Sequence, residues 1–387
     1  MALTITDDRY YREIASAIRA KNGLSEEYTP PLMANAIFAI DNGGGTANIG
    51  DVIAMRNIPF EARFCSAESI PSGAFSPYSM ITVAEFNNCL SIGSSAFYSC
   101  SLLSQVSFDN CLTVGESAFF GCIALEYADF PKCRGVRQYA FTSCKTLSYV
   151  SMPSCSAVNM HAFEYCFALS ELYLPACEWI GESAFNNCKS LSAVDLPLAR
   201  TLSIFCFYYC ESLAYASLPS CTDIGGHAFN GCSAMSYVYA PNCSVVGSAA
   251  FSSCTSLGAA DIPACSNIGS YAFYRCSSLA SITLPECAAV YTYAFCNCST
   301  LSQATLGRCA DIGSCAFSNC VNLTTVDLTG VTSVTTLPYS NAFYSTPIAG
   351  YSSVAGRLGR VLVPSSLYGQ FVSAPNWSYF SSVIVAV

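Results

Sequence analysis

The sequence contains little charge. Only 11% of its 387 residues are Asp, Glu, Lys or Arg, against about 25% in an average soluble protein. The 16 basic residues are outnumbered by 25 acidic residues, which gives a net charge of −9. This balance works against attraction to phosphate groups, so we expect neither nucleic acid nor an anionic membrane as a partner.

Long apolar runs are also missing. No run reaches the roughly 18 apolar residues that a membrane-spanning helix needs. Residues 1–14, MALTITDDRYYREI, contain acids and tyrosines, whereas a signal peptide has a basic start and an apolar core. We therefore expect no membrane insertion and no Sec-dependent export of the chain as written.

The dominant feature is a period of 22 residues. Phenylalanine recurs at this spacing without an insertion, at 75, 97, 119, 141, 163, 185, 207, 229, 251, 273, 295 and 317. A fixed period of this length predicts a solenoid of stacked coils. With the Phe counted as coil position 0, apolar residues recur at positions 6, 9, 11, 17 and 21. These positions are expected to form the core.

Positions 9 and 11 alternate as the inward residues of a β-strand do. Proline follows at position 12 in eight coils, at 131, 153, 175, 197, 219, 241, 263 and 285. Because proline has no N–H for the ladder, it ends each strand. We predict one short parallel strand in each coil.

The phrase AFxxCxxLxxVxLPxCxxIG, repeated over residues 75–334, resembles the BspA-like leucine-rich repeats of bacterial surface proteins. The resemblance and the period together predict an α/β-type repeat solenoid with 22-residue coils. Residues 361–387, with Trp377, also resemble BspA-like C-termini. This ending is expected to form a last strand, a short helix and a return segment that cover the open core.

Two short helices are predicted at residues 7–22 and 29–40, followed by a hinge at Gly43–Gly45. This helical hairpin resembles short N-terminal modules of phage and prophage tail-associated proteins, whose signature reads like IADAIRAKTG…ytPaeMaaAI. The alternative is a simple helical cap of the solenoid. The matching residues are Ile14, Ala15, Ala17, Ile18, Arg19, Ala20, Lys21, Gly23, Thr29, Pro30, Met33, Ala36 and Ile37.

These features predict four segments. Residues 1–45 would be a docking module, residues 46–74 an N-terminal cap, residues 75–338 the leucine-rich-repeat solenoid, and residues 339–387 an irregular last coil with a C-terminal cap.

The 25 cysteines follow the same period. Position 3 holds Cys100, Cys122, Cys144, Cys166, Cys188, Cys210, Cys232, Cys254, Cys276, Cys298 and Cys320. Position 14 holds Cys89, Cys111, Cys133, Cys155, Cys177, Cys221, Cys243, Cys265, Cys287 and Cys309. Neighbours in such rows stay ~4.8 Å apart, farther than the ~3.8 Å between the Cβ atoms of a disulfide. A linear row also does not converge on a metal. We expect buried, reduced thiols, and neither a metal nor a cofactor.

Four cysteines lie outside these two rows, and their redox state stays open. They are Cys65, Cys206, Cys296 and Cys315.

The two histidines, His161 and His227, both occupy coil position 20 and lie three coils apart. This separation is too large for them to bind a common metal. We expect both to be exposed polar turn residues.

Coil positions 8 and 10 are the candidate binding positions, because they face away from the core on the predicted strand. Position 8 varies freely and is rich in tyrosine, which suits both protein and sugar contacts. Position 10 follows an Asp, Ser, Tyr order with a period of three coils, which a duplication without function also explains. The candidate ligand-binding residues are Tyr127, Asp129, Tyr149, Glu171, Tyr173, Asp195, Tyr215, Tyr237, Tyr239 and Asp261.

The first functional hypothesis is a phage or prophage tail-associated receptor-binding protein located in the virion. Residues 1–45 would contact a tail or baseplate protein, and the strand positions would bind a bacterial surface glycan or protein. The alternative is a BspA-like cell-surface adhesin that reaches the exterior by a non-classical route and binds host or neighbouring-cell proteins. A cell-wall hydrolase is the third hypothesis, but no nucleophile, acid pair or metal cluster supports an enzyme. Assembly into a homo-oligomer is compatible with all three.

Overall fold

The computed structural model describes residues 3–5, 60–63, 68–76, 80–350 and 358–387. These residues form a parallel β-solenoid of about 14 turns, with coils of about 22 residues and little helix. The chain divides into two compact units, Met1–Leu174 and Pro175–Val387. The predicted hairpin at residues 7–40 and its glycine hinge lie outside the described residues.

Each full coil carries two short strands, so the prediction of one strand per coil is wrong. The first, called the face strand, spans coil positions 8–10, and the second, called the turn strand, spans positions 16 and 17. Two residues are enough for a strand here because each coil pairs in register with its neighbours. Turns join the strands in place of helices, and the described α-helix is Tyr368–Ser373, so the α/β-type label is corrected to β.

In the first unit, all strand pairs are parallel. One sheet contains Leu3–Ile5, Phe60–Arg63, Ile81–Glu85 and Gln105–Ser107. A second sheet contains the face strands Tyr127–Asp129, Tyr149–Ser151 and Glu171–Tyr173. The turn strands are Ser69–Ile70, Ser91–Ile92, Thr113–Val114, Gly135–Val136 and Ala157–Val158.

In the second unit, the pairing is again parallel. One sheet contains the face strands Ala193–Asp195, Tyr215–Ser217, Tyr237–Tyr239 and Ala259–Asp261. The other contains Ser281–Leu284, Gln303–Leu306, Thr325–Asp327, Arg360–Val363 and Ile384–Ala386. The turn strands are Trp179–Ile180, Thr201–Leu202, Asp223–Ile224, Val245–Val246, Asn267–Ile268, Ala289–Val290 and Asp311–Ile312.

The repeated phenylalanines stack face to face in the core of each unit. In the first unit the ring centroids of Phe97 and Phe119 lie 5.0 Å apart, and in the second unit those of Phe229 and Phe251 lie 5.3 Å apart. The stack continues from Phe317 to Phe343 at 5.7 Å, although these residues are 26 positions apart in sequence. The extra residues are therefore accommodated outside the core.

The backbone turns at each end of the core Phe through residues in the left-handed region. These residues occupy coil positions 20 and 2, and most of them are not glycine. Such a conformation costs about 1–2 kcal/mol for an L-residue. Hydrogen bonds to the next coil offset this cost. Ser95 N donates to Glu116 O at 2.7 Å, and Ser99 N donates to Phe120 O at 2.7 Å.

The two rows of cysteines make different hydrogen bonds. Thiols at position 3 donate to the carbonyl of the core Phe one coil earlier, as from Cys122 to Phe97 at 3.1 Å. Thiols at position 14 donate within their own coil, as from Cys111 to Thr113 at 3.2 Å. The predicted burial is confirmed, since the cysteines of both rows are fully or almost fully enclosed. Burial raises the pKa of the Cys111 thiol to about 12.

The C-terminal segment closes the second unit as predicted, with a strand, a helix and a return segment. Single-turn and longer 3₁₀ helices span Ser340–Phe343, Pro347–Ala349, Ser365–Leu367 and Trp377–Val383. Trp377 is fully buried, lies 6.0 Å from the Phe343 ring and donates from Nε1 to Thr335 O at 2.7 Å. Within the described ranges, no helix has the length and apolar character to cross a membrane.

Candidate binding surface

The face strands position the candidate side chains of the first unit in two rows. Tyr127, Tyr149 and Glu171 are register partners in the position 8 row, and Asp129, Ser151 and Tyr173 are partners in the position 10 row. Of the residues between them, Ala128 and Val150 are fully buried, whereas Leu172 is partly exposed. Tyr127 is 57% exposed and Tyr173 is 54% exposed. Large aromatic surfaces therefore lie next to a carboxylate on this part of the sheet.

The second unit repeats this arrangement on four strands. Tyr215 pairs with Tyr237 in the position 8 row, and Tyr239 pairs with Asp261 in the position 10 row. The rings of Tyr215 and Tyr237 stack, with their centroids 5.9 Å apart and their planes 17° from parallel. Asp195 begins the position 10 row and is exposed. The two tyrosines thus present one continuous aromatic surface.

Tyr237 connects the aromatic surface to an acid on the next strand. Burial, followed by the nearby Asp261 carboxylate, raises the pKa of Tyr237 above its ordinary value of 10.0. The phenol therefore keeps its proton at neutral pH.

The structure places all ten predicted residues on the face strands. It brings Tyr127 and Tyr149 side by side, whereas Tyr173 lies in the other row, opposite Ser151. Tyr215, Tyr237 and Tyr239 are similarly divided between the two rows. Each unit therefore carries one aromatic pair with a third tyrosine displaced to the neighbouring row. Their role in binding remains a prediction.

A shallow groove of about 260 Å³ lies on the strand face of the first unit, and the sequence did not predict it. Its lining includes Glu85, Gln105 and Tyr127. It lies where the sheet that ends at Gln105–Ser107 gives way to the sheet that begins at Tyr127–Asp129. Glu85 occupies position 10 of the first coil, which begins at Phe75, and the missing cysteine at position 3 of that coil was the available signal.

The histidines are not the exposed turn residues that the sequence predicted. Both are half-buried at coil position 20 and belong to stacked ring pairs. His161 stacks on Tyr139 at 4.9 Å, and its Nδ1 lies 2.8 Å from the buried Glu164 carboxylate. His227 stacks on Phe205 at 4.8 Å. Stacking between equivalent positions of neighbouring coils explains the error, because a single coil does not reveal its neighbour.

His227 is held as a neutral ring. The Nδ2 group of Asn230 donates to its Nδ1 at 3.0 Å, which leaves the ring proton on Nε2. Burial lowers the pKa of His227 below its ordinary value of 6.5. The side chain therefore serves the packing of the turn at neutral pH.

Parallel strands, an invariant apolar interior and a variable polar face define a leucine-rich-repeat β-solenoid, a class of protein that is typically a binding scaffold. The chain belongs to the family described as BspA type leucine rich repeat region. Six copies of the repeat match, over residues 68–192, 156–265 and 222–349. Proteins of this family are generally surface-binding or adhesion proteins and are commonly located at the cell surface or outside the cell.

No curated protein matches the chain. Among solved structures, a leucine-rich repeat protein from Bacteroides ovatus ATCC 8483 is 24% identical with a TM-score of 0.40, over 67% of this chain and 82% of that chain. A leucine rich cell surface protein from Faecalibacterium prausnitzii A2-165 is 21% identical with a TM-score of 0.43, over 82% of this chain and 86% of that chain. The T. pallidum leucine rich repeat protein is 25% identical with a TM-score of 0.36, over 54% of this chain and 89% of that chain.

Proposed function

We propose that this protein is a non-enzymatic adhesion protein that binds a bacterial surface glycan or protein through the exposed positions of its face strands. The observation that carries the proposal is the stacked pair Tyr215 and Tyr237, with the Asp261 carboxylate on the next strand. A flat ring surface with a hydroxyl group suits both a sugar ring and a protein side chain.

The packing of the same strands supports the proposal, because inward and outward side chains have different roles. Inward residues such as Val194 and Val238 are buried and apolar, so they stabilise the stack. Outward residues change from coil to coil without affecting that core, which leaves them available for a ligand. Few charges are present, and complementarity would therefore come from ring contacts and hydrogen bonds.

The experiment measures binding of the purified chain to whole bacterial cells and to surface polysaccharide extracted from them. Replacing Tyr127, Tyr149, Tyr215 and Tyr237 with Ser should weaken binding by at least about 10-fold, as expected for the loss of several aromatic contacts. The matched control replaces four exposed tyrosines away from the face strands, Tyr291, Tyr339, Tyr368 and Tyr379. Equal affinity of the two quadruple variants would remove the face strands from consideration.

Two locations of the protein are possible, and a separate observation favours each of them. The family favours an adhesin at the cell surface that binds host or neighbouring-cell proteins. The sequence pattern of residues 10–40 favours a phage tail protein, in which that segment contacts a tail or baseplate protein. Mass spectrometry of purified virions and of intact cell surfaces separates them, because detection in virions alone supports the tail protein and detection on cells alone supports the adhesin.

Deletion of residues 7–45, which spares the paired strand Leu3–Ile5, tests the modular arrangement in either case. We expect the shortened chain to keep its affinity for bacterial cells and to lose incorporation into virions or retention on its own cell surface. Loss of ligand affinity would place the binding site in the deleted segment.

A turnover experiment tests the hydrolase hypothesis. Incubation of the full chain with peptidoglycan and surface glycans should release no product. Cleavage that disappears on substitution of one acid would support the hydrolase instead.

A further inference from the structure

A second groove, of about 510 Å³, lies on the second unit, away from the face positions. It is formed at coil positions 13 and 15, in the segment that joins a face strand to the following turn strand. Its volume falls within the range of about 300–1,000 Å³ that small-molecule sites occupy. The residues that line it are Glu178, Leu198, Arg200, Ser220, Thr222 and Asn242.

The groove includes a coil that departs from the repeat. Ala199 occupies position 14, where ten other coils have a cysteine, and Leu198 occupies position 13. The equivalent residues in the coils on either side are Ala176 and Ser220. Leu198 is 48% exposed, so a single aliphatic side chain stands at the groove beside polar neighbours.

Most donor hydrogens of the polar side chains in the groove bond to the backbone, although Asn242 has a second amide hydrogen. Ser220 Oγ donates to Pro197 O at 2.6 Å, and Asn242 Nδ2 donates to Pro219 O at 2.7 Å. Thr222 Oγ1 donates to Arg200 O at 3.1 Å. Hydroxyl and amide oxygens keep lone pairs when their hydrogens are used. The groove therefore offers mainly hydrogen-bond acceptors to a ligand.

The two charged residues of the groove add further hydrogen-bonding groups. Glu178 and Arg200 occupy position 15 of successive coils, and neither joins an ion pair in the part of the chain that the structure describes. Glu178 adds two acceptor oxygens, and Arg200 is the one strong donor. By contrast, Glu286 and Arg308 on later coils neutralise each other at 2.6 Å.

We propose that this groove binds a hydroxyl-rich saccharide. Sugar hydroxyls donate to the acceptors of Glu178, Ser220, Thr222 and Asn242, and a sugar oxygen accepts from the Arg200 guanidinium. Leu198 contacts the C–H face of the ring. A net charge of −9 disfavours polyanionic ligands, and a lone aliphatic side chain provides too little apolar surface for a peptide anchor. The site is separate from the face strands and does not depend on them.

The test uses the full chain and four neutral trisaccharides: maltotriose, cellotriose, mannotriose and chitotriose. Saturation-transfer NMR identifies a bound sugar, and calorimetry measures its affinity. Arg200→Met and Glu178→Gln should each weaken binding by about 10-fold or more, because each removes charge-assisted hydrogen bonds. Arg308→Met and Glu286→Gln are the matched controls and should leave the affinity unchanged.

Three results would overturn the proposal. The first is the absence of saturable binding of all four trisaccharides to the native chain. The second is equal affinity in the groove variants and their controls. The third is binding that survives Arg200→Met but disappears when the four face tyrosines are replaced, which would assign the sugar to the face strands. Failure of the face tyrosines in the cell-binding experiment leaves this outcome unaffected, so the two proposals fail separately.

Discussion

The rings of Tyr215 and Tyr237 stack across two neighbouring strands, with centroids 5.9 Å apart. Burial, followed by the nearby Asp261 carboxylate on the next strand, raises the pKa of Tyr237. Three consecutive strands thus share one surface feature, although none of these side chains contributes to the core. Rings held by one another lose little freedom when a ligand binds, which favours affinity.

The Tyr215 and Tyr237 pair should show a measurable coupling energy. A double-mutant cycle with Tyr215→Ser, Tyr237→Ser and the double variant is expected to give about 0.5 kcal/mol of favourable interaction in urea unfolding. The control pair, Tyr127 and Tyr339, comes from distant coil positions and should give no coupling. Additive effects of Tyr215 and Tyr237 would mean that the rings do not hold each other.

The thiol at coil position 3 should stabilise contact between coils. Cys122→Ala removes the hydrogen bond to Phe97 O and opens a small cavity, so we expect a loss of about 1–3 kcal/mol in the free energy of unfolding. The partly exposed Cys315 is the control, and Cys315→Ala should change stability by less than about 0.5 kcal/mol. Urea midpoints measured at equal slope test both values, and a Cys122→Ala midpoint equal to that of Cys315→Ala would contradict the expectation.

The protein should lose stability in alkali. Burial raises the pKa of Cys155, Cys221 and Cys265 from 9.0 to about 11, so the folded chain keeps these protons where the unfolded chain releases them. Stability is therefore constant below pH 9 and falls as pH rises from 9 towards 11, by up to ~1.4 kcal/mol per pH unit for each thiol.

Urea unfolding at several pH values between 7 and 10 measures this dependence. The midpoint should stay level to pH 8 and fall above pH 9. Replacement of Cys155, Cys221 and Cys265 by Ala should make the alkaline slope shallower, although the protein is less stable at pH 7. A level profile to pH 10 in the native chain would show that the thiols are not enclosed as described.

Glycine should be preferred at a left-handed turn position. Ser253 has a φ of 62°, a conformation that favours glycine, so Ser253→Gly is expected to raise stability by about 0.5 kcal/mol. Ser256 lies three residues later, is exposed and lacks a positive φ, and Ser256→Gly should lower stability by a similar amount. Thermal unfolding of both variants checks the signs, and a loss in both would contradict the prediction.

The periodic core was predictable from the sequence because every core residue recurs at a fixed spacing. Phe, Cys and Leu positions, the strand-ending prolines and the closing segment around Trp377 all follow from that spacing. The turn strands were missed because two residues show no alternation. The left-handed turns were missed because they hold Ser, Tyr, Asn and His more often than Gly, and only pairing with the next coil explains them.

The candidate surface was predictable in part. Alternation along each strand identified which residues point outward, but it did not reveal which tyrosines contact one another. That depends on register between coils, which placed Tyr173 opposite Ser151. The groove around Leu198 and Arg200 depends on backbone separation and on hydrogen bonds already formed, and neither is visible in a single coil.

Within each unit, the phenylalanine stack fixes the number of residues that a coil can contain. Deletion of one residue inside a coil would shift the register of its strand by one, so that the inward side chains would point outward. Removal of a whole coil would restore every contact at the junction. The stretch between Phe317 and Phe343 already contains four surplus residues and leaves the stack in phase.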